Sequence, residues 1–287
     1  MKIIRVQQPK TAPFNLTWTL SNADYSWPNA RQFINELKSR HANIRCSITD
    51  NSDGENPLLA NIINEFDSSD HTVSLTTAGN IDTRVLEKMA TQLMWICFNY
   101  RADRSTYRYF TNLDIAKLIT RCGAKIAMLP KLWDHSVNVY ETLSSDDKHE
   151  TDPDRIDDAQ YSQQQLDWFN QIKPSTVDKS KHIANKKFPN VGVTLYYEDD
   201  TCGNSHDVPW FINNQLTCFT GYTCEIGLKS MYINNDGIIK RGLCEEGEII
   251  GRLTQSDNIM WPAQPITCTV PLCRFATDVR INKWTMQ

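Results

Sequence analysis

The stretch FNLTWTLSNADYSWPNARQFINEL, residues 14–37, decides how the chain is read. FNLTWTL (14–20) is β-branched and aromatic, the composition of a strand. PNARQFINELKSRH then sets Ala30, Phe33, Ile34 and Leu37 on one helical face, with Pro28 near the first helical position. Between them runs a loop from Ser21 to Pro28. The same unit recurs. NIRCSIT (43–49) is followed by the helical pattern NPLLANIINEF (56–66), which puts Leu58, Leu59, Ile62, Ile63 and Phe66 on one side. HTVSLTT (71–77) precedes IDTRVLEKMATQL, a helix with Asp82 as its N-cap. MWICFNY (94–100) precedes YRYFTNLDIAKLITRCG, which stops at Gly123, and AKIAMLP (124–130) precedes LWDHSVNVYETL.

Strands alternating with helices imply right-handed crossovers and a parallel sheet. Five or six such units make an open or partly closed α/β barrel. Ligands on such sheets sit at the carboxyl ends of the strands, where the loops 21–28 and 50–55 and the segment after Thr77 would open together.

SSDDKHETDPDRIDD (144–158) is acidic and almost without apolar residues, which reads as a solvated linker. YSQQQLDWFNQIK is a short helix carrying Leu166, Trp168 and Phe169, and 173–187 is a mildly basic connector. From 188 the pattern changes to strands and turns: VGVTLYY, KSMYINNDGIIKRG and EIIGRL. Asn235-Asp236-Gly237 between MYI and IIK is a hairpin turn. The expected division is residues 1–187 as the α/β part, with 144–187 its linker and helix, and 188–287 as a small hairpin-containing, Cys-rich domain.

At 287 residues, 40% apolar and 22% charged, the composition is that of a soluble globular protein. A net charge of −4 offers no electrostatic support for nucleic-acid binding. The start, MKIIRVQQPK, lacks the apolar core of a signal peptide, and no apolar run approaches the roughly 20 residues of a membrane span. A cytoplasmic, reducing setting is the expectation, and there a cysteine cluster points to a metal site before it points to disulfides.

Of nine cysteines, six lie between 202 and 273. Cys224 precedes the first hairpin strand and Cys244 closes the second, so the hairpin can return one near the other. Cys268 and Cys273 form a C-x4-C pair on a Pro-containing loop. Four thiolates from a hairpin and a loop suit tetrahedral zinc or an iron–sulfur cluster. The alternative is a set of buried free cysteines, a common fate for this residue. Cys202 and Cys218 are spare candidates; Cys46, Cys97 and Cys122 read as core. The six histidines show neither H-x-x-x-H nor H-E-x-x-H spacing, and the chain has no Gly-rich phosphate loop and no G-x-S-x-G elbow.

In their order, these segments resemble radical S-adenosylmethionine proteins with a C-terminal SPASM or twitch-type auxiliary cluster domain. SNADYSWP lies where that family has C-N-x-x-C-x-x-C after its first strand. SITDNSDGENPLL is similar to its second strand and G-G-E-P segment, and VSLTTAGN to its third strand and T-N-G. FTGYTCEIGLKSMYINNDGIIKRGLC resembles the start of the auxiliary domain and CTVPLCRFATD its closing pair, with Phe275 where a further cysteine often stands.

The resemblance implies a partial (β/α)6 barrel followed by the auxiliary domain, and it also marks a loss. Aligned on Asn22, the three cluster-binding cysteines fall on Ser21, Tyr25 and Pro28, none a good ligand for iron–sulfur chemistry. The segment that binds S-adenosylmethionine reads Asp53-Gly54-Glu55, so Gly54 and Glu55 are at most a vestige of that site; a helix-capping turn with Ser52 or Asp53 as cap and Pro57 in the first turn is the plainer reading. Asn99-Tyr100 falls where some relatives carry Ser-Tyr-His. Tyr25 and Trp27 are expected to plug the emptied loop.

The expectation is therefore a catalytically degenerate member with one [4Fe–4S] cluster on Cys224, Cys244, Cys268 and Cys273. S-adenosylmethionine is not expected to be a cofactor, and the role would be structural, binding or accessory within a larger protein assembly. The alternatives are an enzyme binding S-adenosylmethionine or another small molecule near Asp53, Glu55 and Asn99, and a zinc-stabilised structural protein.

Overall fold

The computed structural model describes residues 2–20, 25–51, 56–66, 70–77, 92–100, 125–130, 193–205, 216–244, 248–273 and 275–285, with Ile81, Val85, Leu86, Met89 and Phe211 besides. For 94–100 and 125–130 the backbone alone is described. The helices expected over 107–123, 132–143 and 161–173, and the acidic linker, lie outside the described residues.

Strand β1 (Ile3–Gln7) opens the chain, followed by β2 (Phe14–Leu20), helix α1 (Trp27–Arg40), β3 (Ile44–Asp50), helix α2 (Leu59–Glu65), β4 (His71–Thr77), β5 (Leu93–Tyr100) and β6 (Lys125–Pro130). The second half is strand-rich: β7 (Val193–Tyr197), β8 (Cys202–Ser205), β9 (Thr223–Cys224), β10 (Ser230–Ile233), β11 (Ile238–Lys240), β12 (Ile249–Arg252), β13 (Ile266–Thr267) and β14 (Lys283–Trp284). A 3-10 segment (Leu253–Asn258) and a short helix α3 (Ala276–Val279) complete it.

Strands β2 to β6 lie side by side in chain order, all parallel. In β2 the pattern is strict alternation: Phe14, Leu16, Trp18 and Leu20 are buried and the residues between them half-buried, and β3 repeats this with Ile44, Cys46 and Ile48. A period of two puts alternate side chains on opposite faces. One face thus packs beneath α1 and α2; the other carries Asn15, Thr17, Arg45 and Ser47. In α1 the buried residues are Ala30, Phe33, Ile34 and Leu37, the face read from the sequence. Helix α2 begins only at Leu59, and the side chain of Asn56 accepts the Leu58 N–H (2.8 Å) just before it; Ser52 and Asp53, the caps read from the sequence, lie outside the described residues.

The hairpin β10–β11 forms as expected. Asn234 Oδ1 accepts the N–H groups of Asp236 (3.1 Å) and Ile238 (2.8 Å), and Gly237 adopts φ +70°, a left-handed conformation that favours glycine. The sheet it joins was not expected. Strand β10 runs parallel to β2, extending the parallel sheet to eight strands in the order β12-β11-β10-β2-β3-β4-β5-β6. A second, six-stranded antiparallel sheet has the order β13-β9-β14-β1-β7-β8. The sheets therefore exchange strands across the 187/188 division: β1 joins the second sheet and β10–β12 the first. The fold is a mixed α/β one, richer in strand than in helix, and among the described residues no helix is long and apolar enough to cross a membrane.

His41, just past α1, stacks on Phe14 with ring centroids 4.0 Å apart. Burial, then the charges of Lys229 and Arg40, lower its pKa to about 4. A folded value below the unfolded one of about 6.5 means that the contribution is present above pH 6.5 and lost as pH falls through about 4. Since the ring is only half-buried, screening reduces the effect to about 1–2 kcal/mol. Urea unfolding between pH 7 and 4 is expected to show this loss, and a His41→Phe chain is expected to lack that part of the pH dependence.

Candidate metal centre

The four cysteines singled out in the sequence meet in the second sheet's core. Cys224 lies on β9, flanked in register by Ile266 on β13 and Lys283 on β14. Cys268 follows β13, its N–H donating to the Tyr222 carbonyl (2.8 Å) and its carbonyl accepting from Gly221 (2.8 Å). The Cys273 N–H donates to the Thr217 carbonyl (2.8 Å) and the Cys244 N–H to Asp278 Oδ2 (2.8 Å). Backbone bonds thus tether all four segments. The four side chains are 4%, 8%, 8% and 3% exposed in the order Cys224, Cys244, Cys268, Cys273, and all four line one cavity of about 20 Å³ with Ile226, Ile266 and Val270.

The turn bringing Cys244 inward depends on a glycine. A Cβ on Gly242 would stand 2.3 Å from Ile226 Cδ1 and 3.2 Å from Asp278 Oδ1, so any other residue would force the buried Ile226 side chain or the turn to shift.

Two further residues of the cavity wall carry opposite charges and were not marked by the sequence. Asp278 is 2% and Lys283 1% exposed. Lysine is almost never buried so fully without partners. Here Lys283 Nζ donates to the carbonyls of Asp278, Val279 (3.3 Å) and Ile281 (3.2 Å), and it lies 4.9 Å from the centre of the Phe219 ring. Burial pushes the Asp278 carboxyl up to about 6, opposed by Lys283 and by the N–H groups of Cys244 and Leu243. Burial also pushes the Cys244 thiol up to about 12 and raises Cys268 and Cys273. Cys224 adds to the upward push on each of these three, a sign that the sulfurs are mutual neighbours.

Among the described residues, no three His, Cys, Asp or Glu side chains are grouped to hold a single metal ion. The four cysteines are related through the cavity that they line together. As a donor set they are chemically uniform, soft and shielded from water, which suits a thiolate-bound group. Cys202 and Cys218 are exposed and do not line the cavity; Cys46 is fully buried in β3.

At the carboxyl ends of the parallel strands, Gly54 and Glu55 lie outside the described residues, as do Ser21, Asn22 and Asp53. Asn99 lies on β5. Tyr25 is 5% exposed, and its hydroxyl accepts the Trp18 Nε1–H (3.1 Å). Its ring packs against the hairpin turn, where a Cβ on Gly237 would come within 2.9 Å of it. Trp27 packs at the border of the same core. Burial lifts the Tyr25 phenol to about 12, the Trp18 bond pulling the other way. The side chain is a core residue with its one polar atom engaged. Compared with family models, curated proteins and solved structures, the chain matches none.

Proposed function

We propose that this chain is a catalytically degenerate relative of the radical S-adenosylmethionine proteins, holding one [4Fe–4S] cluster on Cys224, Cys244, Cys268 and Cys273. It would act as a structural, binding or accessory component of a larger assembly. The observation that carries the reading is the meeting of four sequence-distant thiols in one buried cavity. Around a single zinc, four sulfurs at about 2.3 Å would stand only about 3.8 Å from one another. A cluster would offer each thiolate its own iron. A cluster bound there would tie four segments together and exchange a single electron. Loading requires the cysteine side chains to rotate outward, because about 20 Å³ is room for little more than one water. Lys283 would offset part of the negative charge of a cluster with four thiolates.

Degeneracy is supported by Tyr25, which fills core space at a position aligned with a lost ligand, and by Pro28 inside the first turn of α1. The partial six-unit barrel is part of the proposal, in keeping with β2 to β6 lying in chain order. Gly54 and Glu55 would be the remnant of the S-adenosylmethionine site.

Anaerobic reconstitution with iron and sulfide tests the reading. The expected result is about four irons per chain with a broad visible absorption. Because burial raises the thiols, loading is expected to release protons and to weaken as pH falls. A colourless protein with one zinc, or two clusters per chain, overturns it.

A further inference from the structure

A second cavity, of about 150 Å³, lies at the opposite end of the parallel strands, where the two sheets adjoin. None of the four cysteines lines it, although Thr277 on its wall bonds to Asp278 of the cysteine cavity. Thr17 comes from β2 and Arg45 and Ser47 from β3, on the sheet face away from α1 and α2. Gln8 follows β1, Thr277 lies in α3 and Arg280 just after it. The wall therefore combines two guanidinium groups, three hydroxyls and the amides of Gln8 and Asn15, and no carboxylate lines it among the described residues.

Two like charges share this half-enclosed space. Burial and then the Arg280 charge depress the Arg45 pKa, so both the loss of water and the second cation act on the first. An oxyanion in this cavity offsets that repulsion and accepts charge-assisted hydrogen bonds from guanidinium N–H groups. Hydroxyls of Thr17 and Ser47 add neutral donors, whereas that of Thr277 already donates to Asp278 Oδ1 (3.4 Å). Gln8 adds a different demand: its Oε1 is buried and accepts no hydrogen bond from the protein. An acceptor in that state favours a ligand that brings a proton.

We propose that this cavity binds a small free oxyanion carrying its own hydroxyl, with inorganic hydrogen phosphate the fitting size and chemistry, and that it prefers phosphate over sulfate. The arginines supply affinity for either dianion. Gln8 supplies the preference, because the hydroxyl of hydrogen phosphate donates to Oε1 whereas sulfate at neutral pH has no proton to give.

Calorimetric titration of the full chain with inorganic phosphate and with sulfate, at ionic strength held constant with chloride, tests this. The expected result is phosphate binding at least about tenfold tighter than sulfate. Arg280→Gln is expected to weaken both anions about tenfold or more, and Gln8→Leu to bring the two affinities together while keeping sulfate binding. Arg280 and Gln8 lie outside the parallel sheet, so neither variant depends on the sheet tolerating a change at Arg45. No heat from phosphate beyond the chloride control overturns the proposal, as does equal binding of phosphate and sulfate by the unmodified chain. An unaltered phosphate affinity in Arg280→Gln overturns it as well.

Discussion

Serine at Cys273 is expected to cut reconstituted iron from about four per chain to well under one, while the far-ultraviolet circular dichroism keeps its shape. Cys273 is 3% exposed, anchored by its N–H to Thr217, and it shares its cavity with three other thiols. A hydroxyl is a harder and weaker donor for iron than a thiolate, so one replacement leaves an iron without its thiolate ligand. The controls are Cys202→Ser and Cys218→Ser, both exposed thiols outside the cavity, which are expected to retain full iron. If those two lost as much iron as Cys273→Ser, the assignment of ligands would fail. Retained secondary structure separates loss of a ligand from loss of the fold, because Cys→Ser changes little volume in a core that also holds Ile, Val, Leu, Phe and Tyr.

The largest loss of stability is expected from Trp18→Ala, about 3–5 kcal/mol in urea unfolding. Trp18 is fully buried at the centre of β2. Its ring meets Phe33 of α1 edge-on at 6.0 Å between centroids, and its Nε1 donates to Tyr25. Removing it opens a cavity beneath α1 and deprives the buried Tyr25 hydroxyl of its partner, a further cost. Set against the usual 5–15 kcal/mol of a whole domain, this is about a fifth of the total or more. Trp261 makes the contrast. It stacks on Phe33 at 5.8 Å but is only partly buried, with Arg40 over its ring at 4.5 Å, so Trp261→Ala should cost less. A Trp18→Ala loss below about 1 kcal/mol would mean that the strand and helix repack freely, against the geometry described.

The parallel strands were legible because their message is local. FNLTWTL and HTVSLTT match β2 and β4 residue for residue, and the α1 face follows from spacing alone. Alternation of period two and a helical stripe both reside within a few successive residues. The hairpin turn at Asn235-Asp236-Gly237 was legible for the same reason: glycine and an Asx side chain determine the backbone there without help from elsewhere. The four cysteines could be grouped as one set from their order along the chain, although their separations of 19, 23 and 4 residues match no common zinc ribbon.

Pairing between distant segments left no such mark. Strand β1 is five residues long and sits in register with β14, Arg5 opposite Trp284, at the far end of the chain. Strands β9, β13 and β14 have two residues each, too few for any periodicity to show. The attachment of β10 alongside β2, the burial of Asp278 and Lys283 beside the thiols, and the meeting of Gln8, Arg45 and Arg280 in one cavity belong to the same class. Each rests on backbone hydrogen bonds or desolvation between residues far apart in the chain, and those energies exist only once the two sheets have formed and closed against each other. Periodicity and turn chemistry are written residue by residue; which surfaces meet is settled by packing.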